Sequence, residues 1–245
     1  MKISFPMRLN QYIAMAGICS RRKADALITA GAVTVNGEKA ALGKQVNPLD
    51  TVKIGNVEIK LPERLTVFAY YKPRGIVCTS SDPHIPQEQT LSYIIEHNLN
   101  LPLRVFYAGR LDRDSEGLLL LTNDGVLSQA LMRGANEHEK EYIVTVDQPV
   151  TQSFLSDMSA GLYLEELDIT TRPCQVIADR RDDHKFTIIL TQGLNRQIRR
   201  MCDALGYRCE RIERVRIMNV TLRDMIPGEC RELSPAELDE LYKIC

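Results

Sequence analysis

Tryptophan is absent from this chain, and Phe and Tyr together supply only 6% of it. Histidine is scarce as well: the four (84, 97, 138, 184) show no metal-ligand spacing, so no metal site is expected. The seven cysteines (19, 78, 174, 202, 209, 230, 245) are an odd number with no C-x-x-C pair. They read as reduced cytoplasmic thiols that fill a core, not as a disulfide framework or zinc site. No apolar run approaches the ~20 residues a membrane span needs. The opening MKISFPMRLNQY lacks an apolar signal core, so export is not expected either. A glycine-rich phosphate loop is missing, which argues against a nucleotide cofactor. What remains, 245 residues at 44% hydrophobic and 26% charged, suits a globular protein of a small domain plus a medium one.

Net charge is -1, which taken alone argues against a polyanionic partner. Its distribution argues the other way. Residues 1–62 hold nine Lys and Arg against four acids, and residues 193–216 hold seven Arg against three. Polyanion binding responds to the local field, so these two patches outweigh the sum.

Leu9, Ile13 and Ala16 recur at helical spacing up to Gly17. Ser20 can cap a second helix running to Ala30, and Asn36-Gly37 marks a hairpin turn after Val33–Val35. Arg21, Arg22 and Lys23 fall in the first turn of that second helix, where positive charge opposes the macrodipole. A solvated charged turn would explain them; so would a phosphate clamp. Residues 57–64 read as a linker, residues 67–71 as a strand, residues 80–89 as a loop, and residues 140–146 as a half-buried strand with Tyr142 on one face. In the predicted helix over 195–205, Arg196, Arg199 and Arg200 share the face opposite Ile198, Met201, Cys202 and Leu205. Clustered like charges cost a few tenths of a kcal/mol per pair, which only a partner of opposite charge offsets.

The most informative stretch runs from Tyr107 to Gly125, YAGRLDRDSEGLLLLTNDG. β-formers lead into Gly109, a charged loop holds Asp112, and the apolar run Leu118–Leu121 reads as a strand buried on both faces. Thr122, Asn123 and Asp124 are good caps for a helix opening at Gly125 and reaching Arg133. Asp112, Asp114 and Glu116 begin like a calcium loop, but the twelfth position is Asn123 instead of Glu. A glycosidase-like carboxylate pair on this loop, or an Asp that merely caps the turn, are further readings.

Residues 109–125, GRLDRDSEGLLLLTNDG, resemble the active-site signature of the RsuA family of ribosomal RNA pseudouridine synthases. HEKEYIVTVDQPVT and GLNRQIRRMCDALGY are similar to further motifs of its RluF branch. The stretch RLNQYIAMAGICSRRKADALITAGAVTVNG, which begins at Arg8, resembles the S4 RNA-binding domain that the same family carries. The resemblance implies an α+β protein: a small helix-rich S4-like domain at 1–62, then a catalytic domain at 63–245 with a mostly antiparallel mixed sheet flanked by helices. It implies Asp112 as catalytic residue, Arg199 as its ion partner, and Tyr142 as the residue that stacks on the freed base. Arg110 becomes a candidate contact to the flipped nucleotide, and Arg8, Arg21, Arg22, Lys23, Arg196 and Arg200 become RNA contacts. The expected partner is RNA, 23S ribosomal RNA first and tRNA second, with a monomeric enzyme and no cofactor. The chain reads Tyr71-Lys72-Pro73-Arg74-Gly75 where family members often have NKPxG, and it lacks the long basic C-terminal tail of some relatives. A non-catalytic RNA-binding factor that assists ribosome assembly shares the basic patches and is the rival reading.

Overall fold

The computed structural model describes residues 3–79, 82–132 and 138–244. The chain forms two compact units. One runs to Thr66 and takes in Leu101–Phe106 and Thr122–Gly125; the other holds the remainder.

In the first unit, β1 (Met7–Arg8) leads straight into α1 (Leu9–Met15), and α2 (Arg21–Thr29) follows. The Ser20 hydroxyl accepts a hydrogen bond from the Lys23 amide at 3.3 Å, the N-cap expected from the sequence. Next come β2 (Val33–Val35), β3 (Glu38–Lys39), β4 (Gln45–Val46), β5 (Val52–Ile54) and β6 (Val57–Ile59). Asn36 and Gly37 turn β2 into β3 with φ of 54° and 87°, the backbone that matches the twist of a two-residue hairpin. β3, β2, β5 and β6 make one antiparallel sheet, and β1 pairs with β4. Residues 57–59 are therefore strand where a linker was expected: a turn through Gly55 folds them back onto β5. Leu9, Ile13, Ala24, Ile28, Val33, Val46 and Val52 form the core, each large aliphatic contributing ~1.5–3 kcal/mol by its burial.

The rest of the chain supplies β7 (Val67–Lys72), α3 (Leu91–His97), β8 (Phe106–Ala108), β9 (Glu116–Thr122), α4 (Gly125–Met132), β10 (Lys140–Val146) and α5 (Gln152–Ala160). It continues through β11 (Tyr163–Leu164), β12 (Ile169–Thr170), β13 (Gln175–Ala178), β14 (Lys185–Leu190) and α6 (Gln197–Ala204). β15 (Cys209–Ile217), β16 (Val220–Thr221), β17 (Cys230–Glu232) and α7 (Pro235–Ile244) complete it. Arg133, the expected end of α4, lies outside the described residues, as do 80 and 81 of the expected loop.

Among the described residues, nine strands share one sheet in the order β13-β14-β10-β15-β9-β7-β17, with β16 against β15 and β8 against β9. β15 and β9 run parallel, whereas β10 pairs antiparallel with β14 and β15, and β17 with β7. This is the mixed, mostly antiparallel sheet of an α+β protein. All seven residues of β9 are buried, as its apolar run predicts. Leu118 and Leu120 pack with Leu127 and Leu131 of α4 and Leu241 of α7. A second core joins Val144, Phe154, Met158, Phe186, Ile198 and Met201.

Gly117 decides the middle of the sheet. Its φ is +104°, and a Cβ there would stand 2.6 Å from the Arg214 amide nitrogen and closer still to the Arg214 carbonyl oxygen. Only glycine lets β9 and β15 approach this closely, in the register that sets Arg214 opposite Gly117.

Candidate active site

β8 ends at Ala108, Gly109 bends the chain at φ +87°, and residues 110–115 loop over to β9. The loop is pinned from below. The Gly75 amide donates to the Arg113 carbonyl at 2.8 Å, and the Ser115 amide donates to the Asp112 carbonyl at 3.1 Å. Three buried basic side chains add to this. Lys72 Nζ donates to the carbonyls of Pro73 (2.9 Å) and Ser115 (2.7 Å). Arg199 Nη1 donates to the Cys209 carbonyl at 2.8 Å and its Nη2 to the Asp114 carbonyl at 3.3 Å. Arg214 Nε donates to the Leu118 carbonyl at 2.7 Å and Nη1 to the Arg110 carbonyl at 3.4 Å. A loop with three of its six carbonyls bound to cations and two more to amides holds its side chains in fixed directions.

Asp112 is half-buried and lines a cleft of about 520 Å³ together with Arg110, Tyr142, Arg196 and Arg214. That volume suits one nucleoside-sized group. Strand pairing explains the company. Tyr142 on β10 stands opposite Arg214 on β15, at a register shift between Glu141 and Tyr142, and Arg214 stands opposite Gly117 beside the loop. Cross-strand neighbours lie ~4.5–5.5 Å apart at Cβ, so the tyrosine ring and the guanidinium share one wall. Arg214 is only 3% exposed, and among the described residues its buried Nη2 has no hydrogen-bond partner. Leaving such a donor unmade is costly, and among the described residues it is spare hydrogen-bonding capacity beside the loop.

The expected ion pair between Asp112 and Arg199 is not formed. Arg199 is buried, is not among the residues lining the cleft, and spends its guanidinium on the Cys209 and Asp114 carbonyls. The face assignment failed for a geometric reason. Arg196 precedes the helix as its N-cap at φ +52°, so it does not share the helical rotation of Arg199 and Arg200. Arg199 lies only 60° around α6 from buried Cys202, and it packs inward. Arg200 is ion-paired to Glu166 and donates to the Asn195 carbonyl at 3.1 Å, so it is engaged within the protein. Arg196 stands 4.0 Å from the Asp114 carboxylate at the cleft. Arg8, Arg21, Arg22 and Lys23 are exposed on the first unit, the last three in the opening turn of α2.

Sequence reasoning missed Arg214 and Lys72. Arg211, Arg214 and Arg216 all lie on β15, but Arg214 is buried while Arg211 is exposed and Arg216 half-buried, and those two pair with Glu116 and Glu141. A register shift between Arg214 and Arg216 breaks the alternation that would have put them on one face. Lys72 ends the otherwise apolar strand VFAYYK, and it is fully buried. Burial pushes its ammonium down to about 8, opposed by the charges of Cys78, Asp112 and Glu116 and reinforced by Arg214.

A basic α2 in one unit and a carboxylate cleft backed by buried guanidinium groups in the other define an RNA-modifying enzyme. Residues 66–204 match the RNA pseudouridylate synthase family and residues 7–52 the S4 domain, and the chain belongs to that synthase family. It is 45% identical over 97% of its length, and 79% of the relative's, to the dual-specificity RNA pseudouridine synthase RluF of Escherichia coli K12. The ribosomal large subunit pseudouridine synthase B of Bacillus subtilis is 34% identical over 96% of this chain and 95% of the relative. A crystal structure of a pseudouridylate synthase superposes with a TM-score of 0.67 at 29% identity, covering 96% of this chain and 99% of that one.

Proposed function

We propose that this synthase acts on a uridine in large-subunit ribosomal RNA, with Asp112 as the reacting carboxylate and Arg214 in the role first expected of Arg199. The observation that carries this reading is the shared cleft of Asp112, Tyr142 and Arg214. The reaction breaks the bond from the ribose to N1 of uracil, turns the base over and joins it through C5. The C5 proton is lost and N1 gains one, so the change is redox-neutral. One ionised carboxylate suffices, attacking the sugar or base or promoting departure of the base. Lys72, Arg199 and Arg214 brace this loop through its carbonyls and so fix the direction of the carboxylate. The uridine must leave its stack to reach the cleft, and the Tyr142 ring offers the freed uracil a stacking surface. Arg110, exposed at the mouth, and Arg196 contact the flipped nucleotide and its neighbours; Arg8, Arg21, Arg22 and Lys23 of the S4 domain grip RNA backbone.

The ribosomal target rests on the Bacillus subtilis relative, whose name is that of a large-subunit enzyme. A tRNA anticodon uridine is the second substrate, favoured by the dual-specificity name of the Escherichia coli relative and the resemblance to the RluF branch. The enzyme works as a cytoplasmic monomer without metal. Asp112→Asn tests the central assignment: pseudouridine formation on transcribed ribosomal RNA should vanish while RNA affinity stays within about twofold, because the change removes charge but little volume. Retained turnover would refute it, and mapping pseudouridines in cells with and without the protein would name the uridine.

A further inference from the structure

Lys72 closes β7 with its side chain fully buried, and its two hydrogen bonds go to main-chain carbonyls at either end of the site. Pro73 opens the turn whose Gly75 amide holds the Arg113 carbonyl, and Ser115 closes the turn that begins at Asp112. Among the described residues, no carboxylate lies within ion-pair distance of the ammonium. A buried charge left without a counter-ion is expensive, and an uncharged side chain of similar length would fill the same space at less cost. The expense makes sense if the charge itself is used.

We propose that Lys72 is a positioning residue for the isomerisation: its ammonium ties the two turns together and sets the direction and field of the Asp112 carboxylate without touching RNA. This rests on the assignment of Asp112 as the reacting group. The charged and titratable groups facing Lys72 are Cys78 after β7, Asp112 on the loop, Glu116 on β9 and Arg214 on β15. Burial is the largest influence and lowers Lys72 to about 8. Below that pH the group is an ammonium with three donors and a charge. Above it the group is a neutral amine that binds the same carbonyls more weakly and gives the carboxylate no field. Turnover should therefore decline as pH rises through about 8.

The experiment is single-turnover pseudouridine formation on transcribed RNA from pH 6 to 10, with wild type, Lys72→Arg and Lys72→Gln. Wild-type turnover should fall about fivefold or more between pH 7.5 and 9.5, and Lys72→Arg, charged throughout, should lose that decline. Lys72→Gln should turn over at least about tenfold more slowly at pH 7, with RNA affinity within about twofold. A flat wild-type profile overturns the proposal, as does a decline at the same pH in Lys72→Arg or near-normal turnover in Lys72→Gln. Should neither variant fold, lysine Cε chemical shifts of the wild-type protein decide. One lysine titrating near 8 is expected, and all of them titrating near ~10.4 would overturn it. Activity in Asp112→Asn, by contrast, would sink the Asp112 assignment and leave the lysine titration standing.

Discussion

Replacing Gly117 with Ala probes how the fold delivers Arg214 to the site. The new methyl would enter at φ +104° and meet Arg214 backbone nitrogen at 2.6 Å, with the Arg214 carbonyl oxygen nearer still. A non-glycine residue in that conformation costs ~1–3 kcal/mol. Relieving the collision pushes β9 and β15 apart at their parallel pairing, adding ~1–3 kcal/mol as an overpacked core does. The total is about 2–6 kcal/mol, which in a chain of this size lowers Tm by ~4–24 °C. Arg214 also hangs from β9 through the Leu118 carbonyl at 2.7 Å, so separating the strands moves its guanidinium. A displacement of ~1 Å can cost a hundredfold in rate, so turnover by folded Gly117→Ala at 25 °C should drop about that far. Gly193→Ala is the control for stability: it lies on the same cleft with nothing within 4 Å of the added carbon and no positive φ. Calorimetry of both variants and single-turnover assays of Gly117→Ala would check this. A Tm lowered by less than ~3 °C in Gly117→Ala would refute the steric reasoning.

Arg214→Gln should reduce single-turnover rate by ~10²–10³, the usual effect of removing one preorganised donor. Arg199→Gln should act mainly on stability, since Arg199 braces main chain; a dead Arg199→Gln enzyme that folds normally beside an active Arg214→Gln would reverse the two roles. Tyr142→Ala should weaken capture of the base by ~1–3 kcal/mol, or about 5- to 150-fold in kcat/KM, while Tyr142→Phe keeps most activity because the ring stacks and the hydroxyl does not. Glu237 accepts hydrogen bonds from Arg231 at 2.9 Å and from the Ser234 amide at 2.9 Å, and is held down to about 2, chiefly by Arg231. Its folded-state value is depressed, so its stability contribution is present above the ordinary ~4.5 and is lost as pH falls toward about 2. Glu237→Gln should destabilise the protein at pH 7 by ~2–3 kcal/mol and flatten urea-denaturation midpoints between pH 4.5 and 2.5; an unchanged acid slope would contradict the assignment.

Much of the site was legible in the sequence because it depends on short-range pattern. The bend at Gly109, the loop Asp and the buried run Leu118–Leu121 are neighbours in the chain, and their order alone makes a strand–loop–strand. Ser20 as a cap and Asn36-Gly37 as a hairpin turn are equally local. Tyr142 fell where expected because a half-buried strand announces itself by alternation. Arg196 could be placed near the site, but its φ of +52° could not be foreseen, and with it went the helical face drawn through Arg199.

Which guanidinium shares the cleft with Asp112 was decided only by the tertiary structure. Seven arginines lie between 193 and 216, and nothing local separates them. That arrangement follows from the parallel register of β15 on β9, from Gly117 clearing room for it, and from the register shift that sets Tyr142 opposite Arg214. Those contacts join residues about a hundred positions apart, where sequence carries no periodic signal. The sequence alone determined the carboxylate-bearing loop between two strands and the exposed positive charge of the second helix. The packed sheet alone selected the cations beneath that loop, because burial and close backbone approach exist only once distant strands have met.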